Sequence, residues 1–306
     1  MKIVLPVAGN GIRLRPYTEN MPKCLLPVAG KTIIDWIVEG ALFLKPSETI
    51  FITGYKASVV DDFLKRKPEW GAVRTVLQSN PQGLGEAISL ALPYVNDDEP
   101  LLIILGDTLF EADLSILDKA TENILYTFKV SDPKRFGVAV TDKNGHIERL
   151  VEKPQEFVSD EAIVGIYYIK DVKALKDALN YLMQNDIRTK GEFQLTDALE
   201  RMIQGGCKFR TAPVEKWLDC GLVETLLETN AHVLERNEKV APKFEGSEII
   251  MPCHFGKNVV VKNSKVGPNV SVGDGCVIEN SEVCNAILWD SVKVLDKKLE
   301  KVVVHE

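Results

Sequence analysis

An apolar run, Ile3-Val4-Leu5, opens directly into a loop holding Gly9 and Gly11, and Arg13, Arg15 and Lys23 follow soon after. This junction limits the fold more than any other stretch. The run reads as a buried strand, and glycines just past a strand let backbone N–H groups come close to an anion. Guanidinium groups beyond it offer paired donors to phosphate oxygens. The chemistry points to a polyphosphate site, although the same residues also read as a tight turn with surface cations. Two familiar loops are excluded. Leu14 stands where the third glycine of a dinucleotide fingerprint would fall, and the spacing of a Walker loop is absent.

Alternation follows. Thr32 reads as the cap of a helix over 33–44, with Ile33, Ile34, Ile37, Ala41 and Leu44 on one face. Strands are expected over 49–53, 73–77 and 101–105, and helices over 57–66 and 84–92. That order predicts an α/β fold, a mostly parallel sheet with helices on both faces. Ligands of such sheets sit at the carboxyl ends of the strands, where the 9–13 loop, Gln78 and Gly106-Asp107 all fall. Further strands are expected over 124–130, 138–141, 146–151 and 162–169, and helices over 172–183, 195–203 and 222–236. Asp107, at the end of an apolar strand and facing a phosphate loop, suits a Mg²⁺ ligand, and equally a turn former after Gly106. Asp219 alone reads only as a loop acid.

Beyond about Glu238 the pattern changes. His254, Val260, Val266, Val272, Ile278 and Cys284 recur every six residues, with Gly267 and Gly273 following two of them. Val270 and Cys276 sit two residues before a repeat position. Small or branched apolar residues at this period predict a parallel β-helix; a plain run of short strands is the other reading.

The stretch from Leu5 to Lys31 resembles the signature of the sugar-1-phosphate nucleotidyltransferases, roughly G-x-G-x-R-L-x-P-x-T, a short gap, P-K, and a hydrophobic run ending L-P-V. Gly9, Gly11, Arg13, Leu14, Pro16, Thr18, Pro22, Lys23 and Leu26-Pro27-Val28 carry the match. Family members more often have Gly at the place of Ala8 and Thr at the place of Ile12; a loop that works through its backbone tolerates both changes.

The resemblance implies a Rossmann-like nucleotidyltransferase domain over residues 1–236 and a short left-handed parallel β-helix over 237–306. It implies catalytic roles for Arg13 and Lys23, and nucleotide contacts at Ala8, Gly9, Gly11, Gln78, Pro81 and Gly83. Gly137, Glu152, Lys153, Gly165, Lys190 and Glu192 correspond to positions that bind the sugar phosphate. Relatives have R-G-E where this chain has Lys190-Gly191-Glu192, so a cation remains but its two-pronged grip is weaker. The motifs around Asp107 and Asp219 resemble the G-D and W-x-D-x-G that hold catalytic Mg²⁺.

The implied reaction is attack of a sugar-1-phosphate oxygen on the α-phosphorus of a nucleoside triphosphate, with pyrophosphate leaving. Glucose 1-phosphate with dTTP is the first expectation and UTP the second, although Cys24 stands where thymidylyltransferases often carry Gln. Two other classes stay in view: a hexapeptide-type acyltransferase, for which His254 would be the base, and a non-catalytic sugar-nucleotide-binding regulatory paralogue.

Bulk properties narrow the partners. A net charge of −7 argues against a nucleic-acid partner. No stretch approaches the ~18 apolar residues of a membrane span, and the N-terminal run is broken too soon for a secretion signal. Six cysteines without a C-x-x-C pair fit reduced thiols in a cytoplasmic setting. A homo-oligomer is expected, with contacts beyond about residue 240, because a short β-helix leaves exposed edges.

Overall fold

The computed structural model describes residues 1–237 and 240–305; Glu238, where the change of pattern was placed, lies outside the described residues with Lys239 and Glu306. The chain groups into two compact units, each built from several segments.

The first unit comprises Met1–Gly9, Ile37–Gly106 and Phe110–Trp217. Its sheet runs, in spatial order, Ile147–Glu152, Gly137–Thr141, Glu161–Ile169, Leu101–Ile104, Lys2–Pro6, Glu48–Thr53 and Val73–Leu77. Lys2–Pro6 pairs in parallel with both Glu48–Thr53 and Leu101–Ile104. These strands lack polar alternation because helices cover both faces, so each of their residues from Ile50 to Ile52 and Leu101 to Ile104 is buried. Glu161–Ile169 then runs antiparallel to Leu101–Ile104 and gives the sheet its mixed end. Helices Leu84–Ala91, Val172–Gln184 and Leu195–Gln204 contribute Ile88, Leu179 and Leu199 to one core with Val4, Ile52 and Ile103.

The expected α/β order is present. The first helix is shorter than expected, Ile33–Ala41, with a tight 3-10 turn at Leu42–Leu44. Thr32 does cap it: the Asp35 N–H donates to the Thr32 hydroxyl (3.1 Å), and the Asp35 carboxylate accepts from the Thr32 N–H at 2.9 Å. This is a capping box with Asp in the acidic place. Strands Thr108–Glu111, Phe209–Pro213 and Lys216–Asp219 were not anticipated. Phe209–Pro213 is an outer strand whose ladder is with Asn123–Lys129, with a single bridge from Arg210 to His146 besides, so its polar residues and terminal Pro213 mask the pattern.

The second unit comprises Asn10–Trp36, Asp107–Leu109 and Leu218–Glu306. Its C-terminal strands are stacked in parallel, as a β-helix requires: Cys253–Phe255 on Val270–Val272, Val260–Lys262 on Val277–Glu279, and Glu282–Leu288 under Lys298–Val304. Its core is Val266, Val270, Val272, Cys276, Ile278 and Val294 with their neighbours.

The six-residue phase needs correction. One coil carries Glu248 to Lys265 and Cys253 to Val270, a step of 17, and the next carries Val270 to Ala286, a step of 16. Three hexads would need 18, so the phase drifts. His254 stacks on Ser271, and Cys253, 1% exposed, is the inward residue; Val260 is 37% exposed while Val261 is buried. The missing residues are absorbed at corners in the left-handed conformation. Gly246, Asn263, Asn280 and Asp296 form one such column, and Asn258, Gly275 and Ser291 another, all at positive φ. Gly, Asn and Asp accept that conformation most readily. The 16–17-residue spacing of Asn and Gly was the readable sign of the true coil length.

Candidate active site

In the second unit, Gly11 adopts φ +57° and starts the turn Ile12–Leu14. A Cβ there would lie 2.9 Å from Thr18 Cγ2 and 3.2 Å from Lys23 Cβ, so only glycine lets the loop fold back this tightly. The Gly11 carbonyl accepts from the Thr18 hydroxyl at 2.8 Å and from the Leu14 N–H at 2.9 Å. Lys23 stands on the short turn Lys23–Leu25, with its ammonium 3.0 Å from Asp107 Oδ2. Its side chain is 11% exposed and that of Asp107 50%.

Asp219 is held from the chain beyond it. Its Oδ1 accepts from the Gly221 N–H at 2.9 Å, its Oδ2 from the Thr225 hydroxyl at 3.3 Å, and its carbonyl from the Thr229 hydroxyl at 3.0 Å. A Cβ on Gly221 would meet Asp219 Oδ1 at 2.9 Å and an Arg13 Nη2 at 3.2 Å. The guanidinium and the carboxylate therefore share the space over Gly221. Buried Cys220 links the two halves: burial pushes its thiol up to about 12, and it feels the charges of Lys23, Asp219 and Asp107. Cys24 is likewise pushed up to about 12 by burial, next to Lys23 and Asp107. Arg13, Lys23, Asp107 and Asp219 thus form one cluster.

In the first unit, Ala8 follows the Lys2–Pro6 strand, and its Cβ would sit 2.7 Å from a Cβ on Gly54. A Cβ on Gly9 would meet nothing within 4 Å, so its backbone faces open space. Gln78 ends the Val73–Leu77 strand and is 7% exposed. Its Nε2 donates to Glu86 Oε2 at 2.6 Å, and the same oxygen accepts from the Gln82 N–H at 3.3 Å. Pro81 is exposed on the connecting loop. Gly83, at φ +122°, has no room for a side chain: a Cβ would be 2.5 Å from the Phe193 carbonyl and 2.9 Å from Glu192 Cβ. Glu192 therefore flanks the same loop. Lys190 and Gly191 form the tip of a tight turn closed by the Thr189 and Glu192 main chains, at 3.0 and 3.2 Å.

A second group of the first unit surrounds Glu152. Its Oε2 accepts from the Thr196 hydroxyl at 2.8 Å, and its Oε1 lies 3.3 Å from the Lys153 ammonium. Gly137 lies directly beneath: a Cβ there would be 2.9 Å from Glu152 Oε2. Gly165, at φ +89°, interrupts the pairing of its strand and leaves room for Leu105, 2.6 Å from where its Cβ would be. Burial raises the Asp197 carboxyl, with Glu152 and Glu200 adding to the effect.

Sequence reasoning missed Glu86, Thr196 and Asp197. Glu86 stands eight residues after Gln78 and one turn into the helix that Gly83 opens, a position from which it reaches back. Thr196 and Asp197 open the helix after Glu192, but only the folded sheet brings them to Glu152.

A family model described as "Nucleotidyl transferase" matches residues 2–236. A glucose-1-phosphate thymidylyltransferase of Streptomyces antibioticus is 31% identical over 314 residues, covering 92% of this chain and 85% of its own. The chain belongs to the sugar-1-phosphate nucleotidyltransferases. Within this family, a "Bifunctional protein GlmU" of Methanocaldococcus jannaschii is 32% identical over 82% of this chain, which spans 59% of that relative. Among solved structures, a UDP-glucose pyrophosphorylase complexed with UDP-glucose superposes with a TM-score of 0.66 at 24% identity. It covers 77% of this chain and 99% of its own, a likeness of fold. Among the described residues no helix is long and apolar enough to cross a membrane.

Proposed function

We propose that this chain joins a sugar 1-phosphate, glucose 1-phosphate first, to dTTP or UTP, releasing pyrophosphate. The observation that carries the choice of base is the Gln78–Glu86 hydrogen bond. A carboxylate only accepts, so Glu86 takes one N–H of the Gln78 Nε2 and fixes which way the amide points, with Oε1 as the acceptor proposed to meet a base. Thymine and uracil present an imide N3–H to such an acceptor. Cytosine presents a lone pair at the same atom, and mismatched buried polar groups are expensive.

The charged cluster serves the reaction. Phosphoryl transfer asks the protein to hold two polyanions in line and to neutralise charge, with no nucleophilic side chain. Arg13 and Lys23 stabilise the triphosphate and the departing pyrophosphate. Groups of three or more His, Cys, Asp or Glu fit to hold a metal are absent among the described residues. Mg²⁺ needs no such cage: it is held by one or two carboxylates together with substrate phosphates and water. Asp107 and Asp219, oxygen donors that are half exposed and exposed respectively, fit that demand. When bound there, the metal would supply charge neutralisation between the two phosphates. Glu152, turned by Thr196 and Lys153, is the carboxylate proposed to accept from sugar hydroxyls, with Lys153, Lys190 and Glu192 around the sugar phosphate.

The acyltransferase alternative gains no support, because the His254 ring occupies the space a Cβ of Gly30 would need, 2.2 Å from its Nε2. The reading keeps the catalytic part at residues 1–236, a left-handed β-helix at 237–306, a cytoplasmic setting, and a homo-oligomer joined through the latter. A monomer by light scattering at micromolar concentration would end the last of these.

Pyrophosphate release with a panel of triphosphates tests the base. kcat/KM for CTP should fall at least ~10²-fold below that for dTTP or UTP. Glu86→Gln frees the Gln78 amide to turn, so the gap should narrow about tenfold. Equal use of CTP by the wild type would refute the choice of base.

A further inference from the structure

The segment that carries Arg13 and Lys23 has little regular structure. Between Asn10 and Thr32 it holds two three-residue turns and a two-residue hairpin, Pro27–Val28 with Lys31–Thr32. Backbone this irregular does not fix a side chain by itself, and a catalytic group misplaced by ~1 Å loses about 10²-fold in rate. What fixes it lies in the same compact unit.

Three contacts join this segment to the β-helix. Tyr17, four residues past Arg13, donates its hydroxyl to the Val303 carbonyl at 3.1 Å. Its ring meets those of Trp289 and His305 at 6.4 and 5.1 Å. Val303 belongs to the outermost strand, Lys298–Val304, so the contact also covers an otherwise open edge. The hairpin turn at Ala29 and Gly30 is seated on His254, at a distance only glycine permits. Ala29, at φ +48°, is in a conformation alanine avoids. Its N–H donates to Asn230 Oδ1 at 2.8 Å.

Asn230 is the centre of this arrangement. It is wholly buried, and it lies on the helix Val223–Asn237 that follows Asp219. Its Oδ1 also accepts from the Ser271 hydroxyl at 2.6 Å, and its Nδ2 donates to the Asn269 carbonyl at 3.4 Å. One amide thus ties the signature hairpin, the helix and a β-helix coil. The preceding residue, Thr229, holds the main chain of Asp219, and Thr225, one turn earlier, holds its carboxylate. The groups assigned to the metal and to the phosphates are therefore anchored to the same coils.

We propose that the β-helix of this chain is a brace for its catalytic loop, with Asn230 and Tyr17 as positioning residues that hold Arg13, Lys23 and Asp219 in register. This rests on the roles given to those three under the proposed function. The brace makes the C-terminal coils part of the catalytic apparatus as well as a surface for self-association.

The test uses the full chain. Asn230→Ala should lower kcat about 10²-fold and Tyr17→Phe a few-fold to about tenfold, with KM changed less. Thr229→Val should lower kcat, and Thr229→Ser, which keeps the hydroxyl, should restore it. A readout independent of turnover is Mn²⁺ binding without nucleotide, followed by electron paramagnetic resonance. Asn230→Ala and Thr229→Val should weaken it several-fold, while Leu295→Ser, an exposed β-helix change outside the brace, leaves both binding and kcat at the wild-type level. If Asn230→Ala does not fold, Tyr17→Phe and Thr229→Val, each lacking one hydroxyl, decide the matter. Folded Tyr17→Phe and Thr229→Val with wild-type kcat and Mn²⁺ affinity overturn the brace and leave the proposed function standing. A wild type that transfers no nucleotide from any triphosphate overturns the function itself.

Discussion

Glu152 and Lys23 bury their charged side chains to a similar depth, 10% and 11% exposed, yet they are held in different ways. Glu152 ends a strand; Gly137 beneath it is on the paired strand, and Thr196 beside it opens a helix. Each neighbour belongs to a regular element packed into the same core. Lys23 stands on a three-residue turn and meets Asp107 from a loop. The regular scaffold of the first unit orders the groups proposed to recognise base and sugar. The second unit has to order the charged groups by packing an irregular segment on stacked coils. Groups on regular elements of a scaffold are held more firmly than groups on loops, so the second kind of site depends more on its supporting shell.

The largest effect should come from breaking the second kind of site at its charges. Asp107→Asn removes a carboxylate assigned to Mg²⁺ and the counter-ion of Lys23 together. Turnover should fall by about 10³-fold, and EDTA should do the same to the wild type. Circular dichroism should show the fold intact, because Asp107 is half exposed and the ion pair contributes modestly to stability. Undiminished pyrophosphate release would refute the assignment. Arg13→Ala comes next. It should lower kcat by about 10²–10³-fold and nucleotide binding less, as for a donor aimed at developing charge. Normal kcat with raised KM would make Arg13 a ground-state binder only.

The comparison also explains what could be read from the sequence. The alternation of strands and helices was legible because the central strands carry unbroken apolar runs, Ile3–Leu5, Ile50–Ile52 and Leu101–Ile104, and the helices between them keep one apolar face. Arg13, Lys23 and Asp107 were legible from a glycine loop and a strand end, but Asp219 only through the family signature: nothing in the spacing brings residue 219 to residue 13. Glu86 escaped because its role is to hold another side chain, and such partners leave no motif. The β-helix was recognised by its period, but the six-residue series that includes His254 does not stay on the inward face, where Cys253 stands instead, since the corners at Asn258, Asn263 and Asn269 shorten the coil. Tyr17 and Asn230 had no sequence signal of their own. A buried Asn in an amphipathic helix reads as a solvated one until a coil is packed over it.

Breaking the first kind of site should cost less. Thr196→Val deletes one donor to Glu152 and leaves Lys153 beside it, on a carboxylate fixed by the sheet. KM for the sugar 1-phosphate should rise several-fold, equivalent to about 1 kcal/mol for one neutral-donor hydrogen bond, with kcat kept. If kcat falls instead, as expected for Thr229→Val, the two sites do not differ in the way their structures suggest.

The smallest effect concerns the thiols that lie beside the charged cluster. Burial pushes both Cys24 and Cys220 up from 9.0 to about 12. A thiol whose folded value is raised holds its proton longer in the native state than in the unfolded one. The stability this contributes is complete below about pH 9 and is lost as pH rises toward 12. The urea midpoint of the wild type should therefore fall more steeply over that window than that of Cys24→Ala/Cys220→Ala. At pH 8 both thiols should resist iodoacetamide in the native protein while Cys284, partly exposed, reacts sooner; peptide mass mapping gives the order. The same reagent reports on the loop. If the β-helix orders it, Tyr17→Phe should speed the alkylation of Cys24, which lies in the braced segment, and leave that of Cys207, in the other unit, unchanged. Equal slow rates at Cys24 in wild type and variant would mean that the loop keeps its order without the Val303 contact, and the contrast between the two sites would then rest on Asn230 alone.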